Sequence, residues 1–377
     1  GMRPVRAGLG FVPLVHMQSG PGNSNVQKTC NVTVSRGLAE RVVILLCAQL
    51  ALMLLVILLA AQLFTNALEH LGERLGISEG VTGSLFAAVG TALPETMVPV
   101  VAIFAGTRNI AINEDIGIGA ILGAPLMLST LSTCLMALSV LRQRGFGGRL
   151  CPEAGGLRRD LNVFLFAFLF AAAAMYVPKE LHLARVALSV LLVAIYAGYV
   201  AFTYRASGGL VEAGHGTSAD EPILLTRLGL KENLGTILLQ LLLALLLLIG
   251  GAKGFIGGVE GVSRALGISA LVLALLIVPI ATELPEKVNS ILWARRGKDT
   301  LAFGNITGAM VFQGTLLPAL GILLTPWQPR PEVLSGILIT LLAAAWLRLN
   351  TRNDGLRIPV LLVCGLFYLG YIIITLR

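Results

Sequence analysis

Long apolar runs alternate with short polar stretches along this chain. Runs near 41–63, 79–104, 116–140, 161–177, 185–203, 235–255, 267–293, 302–324, 332–348 and 358–375 carry few charges. Each is close to the roughly 20 residues that cross the hydrocarbon of a bilayer as a helix. In lipid every backbone polar group must be satisfied internally, which leaves helices or a closed barrel. Runs this long and continuously apolar suit helices, not the short alternating strands of a barrel. The pattern therefore predicts an all-α, polytopic transmembrane fold of ten helices.

Composition agrees with this. Of 377 residues, 56% are hydrophobic and 13% charged, far from the balance of soluble domains. The net charge of +8 does not point to nucleic acid, because the basic residues stand at the ends of apolar runs, where they act as topology signals. Alternate loops hold Arg142, Arg144, Arg149, Arg158 and Arg159, then Arg205, Arg227 and Lys231, then Arg295, Arg296 and Lys298, then Arg348, Arg352 and Arg357. Their excess over the opposite loops predicts both termini outside, although Arg3, Arg6, Lys28, Arg36 and Arg41 at the N-terminus run against that bias. Residues 1–40 lack an apolar core of signal-peptide length and read as a disordered tail. The five cysteines show no metal spacing and read as packing residues. The expected setting is a bacterial or archaeal cell membrane, with lipid and small inorganic cations as partners and no covalent cofactor; the oligomeric state is not legible.

The chain matches itself at a fixed offset. Leu75-Gly76-Ile77-Ser78 recurs as Leu266-Gly267-Ile268-Ser269, 191 residues on, and at the same offset Leu93-Pro94-Glu95 matches Leu284-Pro285-Glu286 and Thr91 matches Thr282. Further on, Gly119-x-x-x-Gly123-Ala124 matches Gly304-x-x-x-Gly308-Ala309. Five apolar runs lie in each half, an odd number, so the second half enters the membrane from the opposite side. This predicts two inverted five-helix repeats, 41–204 and 235–377, joined by a polar linker over 205–234. In transporters of such architecture the substrate site lies near the midplane, at helices broken in corresponding places. Pro94 and Pro285 fall mid-run and remove a backbone donor, and Pro99 and Pro279 predict a second interruption on either side.

Glu95 and Glu286 follow those prolines directly, deep within apolar runs. An ionisable side chain there costs about 2.5–3.5 kcal/mol on insertion scales and marks a functional site by default. Two carboxylates converging from the two halves, with carbonyls freed around Thr91 and Thr282, make an all-oxygen site. Such a site suits hard cations: calcium, or sodium and protons in turn. If one site cannot hold both ions at once, exchange follows from competition.

Gly90-Thr91-Ala92-Leu93-Pro94-Glu95 and Ala281-Thr282-Glu283-Leu284-Pro285-Glu286 are each preceded by Leu-Gly-Ile-Ser and followed by a Gly-x-x-x-Gly segment. They resemble the two α-repeats of the calcium/cation antiporter superfamily, which includes sodium/calcium exchangers. The resemblance covers about 41–375. It implies ten helices, alternating access by sliding of the first helix of each half, and calcium held between Glu95 and Glu286 with help from Thr91 and Thr282. The chain departs from the family pattern where serine usually stands three residues before each glutamate, having Ala92 and Glu283 there. It departs again after the motif, where Gly123-Ala124-Pro125 and Gly308-Ala309-Met310 replace Gly-Ser followed by Asn or Asp. Four small polar ligands are thereby missing or changed, which bears on the sodium sites and the coupling ion.

Glu283 and Lys287 stand at helical i, i+4 spacing. They predict a buried ion pair or, in a sharper reading, an internal ammonium in the place of a bound sodium ion. Asn289, Asn305 and Gln313 are further candidate ligands, with interhelical hydrogen bonding as the plainer role. Enzyme chemistry finds no support: His16, His70, His182 and His215 lie in the tail or in loops, and no HExxH or Gly-x-Ser-x-Gly is present. The function expected is secondary antiport of calcium against sodium or protons, with sodium/proton antiport on the same glutamates as the alternative.

Overall fold

In a computed structural model the described residues are 24–74, 93–211 and 222–375. The chain divides into two units, 1–44 and 45–377. In the first unit the described residues, 24–44, are helical backbone. The helix containing them, α1 (Ser24–Arg74), thus starts within the stretch read from sequence as a disordered tail. Adding a residue to an existing helix gains one hydrogen bond without a new nucleus, so a helix readily outruns its apolar stretch.

The second unit is helical almost throughout. It continues with α2 (Leu93–Ala105), α3 (Ile110–Met127), a π-helical turn (Leu128–Ser132) and α4 (Thr133–Arg144). These are followed by β1 (Arg149–Leu150), α5 (Ala154–Ala173) and α6 (His182–Val211). Then come α7 (Leu234–Leu266), α8 (Ala270–Thr282), α9 (Leu284–Arg295), α10 (Asp299–Leu324), α11 (Pro331–Asn350), β2 (Leu356–Arg357) and α12 (Ile358–Thr375). Among the described residues, 8 helical stretches are long and apolar enough to cross a membrane, and two apolar helices are shorter, Glu95–Ala105 and Ala270–Ile280. The run 267–293, read from sequence as one span, is two short helices separated at Glu283. The described part of the run 79–104 begins only at Leu93, the start of α2. The fold is polytopic and all-α apart from the two-residue strands.

Pro285 stands in the first turn of α9, where its missing N–H is no loss and its fixed φ suits helix initiation. Pro99 and Pro279 do not interrupt their helices as the sequence suggested; they sit inside α2 and α8. A membrane helix tolerates proline where neighbouring groups take up the freed carbonyl.

Two apolar clusters meet along α3 and α8. Ile118, Ile121 and Leu122 of α3, with Leu271 and Leu275 of α8, join a cluster built from α4, α5, α10, α11 and α12. Ile116 and Ala120, with Ala274 and Val278, join one built from α1, α2 and α7. Gly119 and Gly123 let α3 lie directly on α8: a Cβ at Gly119 would stand 2.6 Å from Ala274 Cβ, and one at Gly123 2.7 Å from Pro279 Cγ. This Gly-x-x-x-Gly is therefore a place of close helix approach. Its counterparts Gly304 and Gly308 meet no such neighbour among the described residues. A second seam joins α1 to α7, where Gly251 and Gly258 receive Ile57 and Leu50, and Gln49 donates to the Gly254 carbonyl at 2.9 Å.

Arginine-rich loops gather on one face. The Arg144 guanidinium grips both oxygens of Asp299 at 2.6 and 2.7 Å and donates to the Ala294 carbonyl at 2.9 Å. β1 pairs antiparallel with β2, Arg149 opposite Arg357, and Arg149 also pairs with Asp354. The stretches before α5, between α9 and α10, and before α12 are thus tied together. Arg330 pairs with Asp115 at 2.6 Å, at the far end of α3.

Candidate cation site

The site forms where α8 stops. Glu283 has φ −83° and ψ 7°, the bridge region between helix and strand, and it both closes α8 and opens α9. Glu286 lies in the first turn of α9 and Glu95 in the first turn of α2. Each of these helices opens on Leu-Pro-Glu. Free N–H groups and the positive end of the helix dipole favour a carboxylate there.

These three glutamates converge. One carboxylate oxygen from each of Glu95, Glu283 and Glu286 lies within 4.8 Å of the others, and the residues are 4%, 0% and 4% exposed. Gln313 of α10 donates from Nε2 to Glu283 Oε1 at 2.6 Å. The Oε2 atoms of all three glutamates and Oε1 of Gln313 are buried and accept no hydrogen bond among the described residues. Buried anions left this close without partners are costly. Several inward oxygens with spare lone pairs are what a hard cation requires.

Thr282 is buried beside them, its hydroxyl donating to the Val278 carbonyl at 3.2 Å. Because the proton is turned back along the helix, the oxygen lone pairs remain for another partner. Thr91 lies outside the described residues. Asn305 donates from Nδ2 to the Glu286 carbonyl and to Ser290 Oγ, both at 3.0 Å. It braces the backbone of the site and offers it no donor oxygen through those bonds, the plainer of the two roles read from sequence. Asn289 is exposed and is not brought to the cluster.

The expected ion pair between Glu283 and Lys287 is not formed. Lys287 is 6% exposed, and its ammonium donates to the Pro279 carbonyl at 2.9 Å and the Ile280 carbonyl at 3.4 Å, with Met127 Sδ at 2.9 Å. The ammonium is held instead by carbonyls of the last turn of α8, and the Pro279 carbonyl accepts it together with the Glu283 N–H. Met127 gave no signal in the sequence. It reaches the site at the C-terminal end of α3, which lies on α8 through Gly119 and Gly123.

Membrane-length helices surrounding a buried cluster of carboxylates at a helix break define a membrane transport protein. The chain belongs to the sodium/calcium exchanger protein family, whose profile matches residues 45–205 and 236–377. It is 24% identical over 317 residues to the inner membrane protein YrbG of Escherichia coli (strain K12), covering 83% of this chain and 91% of that one. Its fold is similar to that of the H+/Ca2+ exchanger CAX, with TM-score 0.60 at 16% identity over 88% of this chain and 85% of that one. The sodium-calcium exchanger NCX_Mj aligns with TM-score 0.51 at 20% identity, over 88% of this chain and 99% of that one.

Proposed function

We infer that the protein is a secondary active antiporter that exchanges calcium for sodium or protons, holding calcium between Glu95 and Glu286. Glu283, Thr282 and Thr91 complete the oxygen set. The observation that carries this reading is the convergence of three buried carboxylates at a helix break, each with an oxygen that accepts no hydrogen bond among the described residues. The family membership supports it, as do the fold likenesses to an H+/Ca2+ exchanger and a sodium-calcium exchanger.

In this reading the chain is two inverted five-helix repeats, 41–204 and 235–377, around the linker 205–234. The self-match at offset 191, the shared Leu-Pro-Glu start of α2 and α9, and the two separate stretches matched by the family profile support that division. Alternating access then moves α1 and α7 together past the rest, along helices whose mutual seam is lined by glycine. The arginine-rich face lies in the cytoplasm of a bacterial or archaeal cell, with both termini outside.

Sodium/proton antiport on the same glutamates is the second reading. One observation favours it: Ala92, Ala124, Ala309 and Met310 stand where small polar ligands are usual in the resembling family. Calcium titration of the purified protein, monitored by heat, separates the two. Saturable binding weakened at least about tenfold by Glu95→Gln, a loss of roughly 1.4 kcal/mol, supports calcium as substrate. Heat only from sodium or proton exchange supports the alternative.

A further inference from the structure

Lys287 is the one feature of the site that the carboxylates do not explain. A lysine buried beside three glutamates is expected to pair with one of them, since an unpaired ammonium in a membrane interior is expensive. Yet among the described residues no carboxylate lies within ion-pair distance of Nζ. The ammonium instead rests on the carbonyls of Pro279 and Ile280 and on the Met127 thioether. Carbonyl oxygens at the end of a broken membrane helix are where monovalent cations are coordinated.

Three features make this a built position and not a stray contact. The Pro279 carbonyl also accepts from the Glu283 N–H at 3.1 Å, so the same oxygen fixes both the break and the ammonium. The Ile280 carbonyl of the same turn and Met127 Sδ of α3 also accept from the ammonium, so each of its three N–H bonds is given a partner. Finally, the ammonium stands apart from the carboxylates, whose Oε2 atoms accept no hydrogen bond among the described residues. Three carboxylates and one ammonium leave a formal charge of minus two, the charge that a single divalent cation neutralises.

We propose that Lys287 is a tethered cation: its ammonium occupies a monovalent-cation subsite formed by the Pro279 and Ile280 carbonyls beside the carboxylate cluster, and excludes free sodium from it. The inference rests on the antiporter reading for its consequence, that this subsite contributes no sodium to coupling. The subsite itself is tested without reference to calcium.

The test compares wild type, Lys287→Ala and Lys287→Met, each purified in sodium chloride and in N-methylglucamine chloride. Alanine opens the subsite, whereas methionine keeps it filled without charge. At a sodium concentration about ten times the dissociation constant, the alanine variant is expected to melt about 3 °C higher than in N-methylglucamine. Wild type and the methionine variant, whose subsite stays filled, are expected to gain less from sodium than the alanine variant by about that margin. In proteoliposomes with equal sodium on both sides, calcium uptake by the alanine variant is expected to rise with sodium several-fold more than that of wild type. Lys287→Ser, whose hydroxyl adds a sodium ligand, repeats the test if alanine does not fold.

Sodium stabilising all three proteins equally, or none, overturns the proposal. So does failure of both small variants to fold even in sodium, since a free cation then cannot replace the ammonium. Absence of calcium uptake in every protein, wild type included, counts against the calcium reading and leaves the melting comparison to decide the subsite.

Discussion

Gln313 Nε2 donates to Glu283 Oε1 at 2.6 Å, from α10 to the break between α8 and α9. Both residues are almost wholly buried, 1% and 0% exposed. The bond spends one oxygen of Glu283 and leaves the other free, so the glutamine aims the carboxylate into the cluster without neutralising it.

Replacing Gln313 by leucine removes that aim while keeping the volume. A hydrogen bond to a charged acceptor contributes about 1.5–3 kcal/mol. Calcium affinity is therefore expected to fall by roughly tenfold or more, measured by titration calorimetry, and Gln313→Asn, with the same amide one methylene shorter, is expected to recover only part of it.

Glu283→Gln tests whether the third carboxylate belongs to the site. It removes one charge from a cluster confined within 4.8 Å, and hard divalent cations depend on ligand charge. The expected result is a calcium affinity at least about tenfold weaker with the fold intact. An unchanged affinity would reduce Glu283 to a structural residue at the break.

The packing of α3 on α8 predicts a sharp contrast between glycines. Gly119→Leu and Gly123→Leu drive a side chain into the backbone of α8, and overpacking of this kind costs about 1–3 kcal/mol or more. Gly198→Ala on α6 meets nothing within 4 Å and is expected to leave the melting temperature unchanged or slightly raised, because alanine favours helix. Thermal unfolding in detergent measures both.

Arg144 and Asp299 hold the arginine-rich face together across 155 residues of sequence. Asp299 is 6% exposed, so Arg144→Met leaves a largely buried carboxylate without its bidentate partner, at a cost of about 3 kcal/mol. The double variant with Asp299→Asn is expected to recover much of that loss, measured as a double-mutant cycle in melting.

Much of this was written in the sequence because membranes impose simple rules. Apolar length marked most of the helices, Pro94 and Pro285 fall where helices begin, and charges placed deep in apolar runs singled out Glu95 and Glu286, with Glu283 read as the partner of Lys287. What was not legible depends on contacts far apart in sequence. Spacing put Glu283 and Lys287 on one helical face, but it could not show that α8 ends at Glu283 and that carbonyls of its last turn take the ammonium. Pro99 and Pro279 carry the same local signal as Pro285, and only the surrounding packing decides which of them sits within a helix and which begins one. Met127 came to the site through the crossing of α3 over α8, and no local motif encodes that crossing.

Calcium uptake into proteoliposomes tests the central claim most directly, with an outward sodium gradient, an outward proton gradient or neither, for wild type, Glu95→Gln and Glu286→Gln. Uptake by the wild type under one gradient, abolished by each substitution, is the predicted result and names the coupling ion. No calcium uptake under any gradient would contradict calcium antiport and leave exchange of monovalent cations on the same carboxylates.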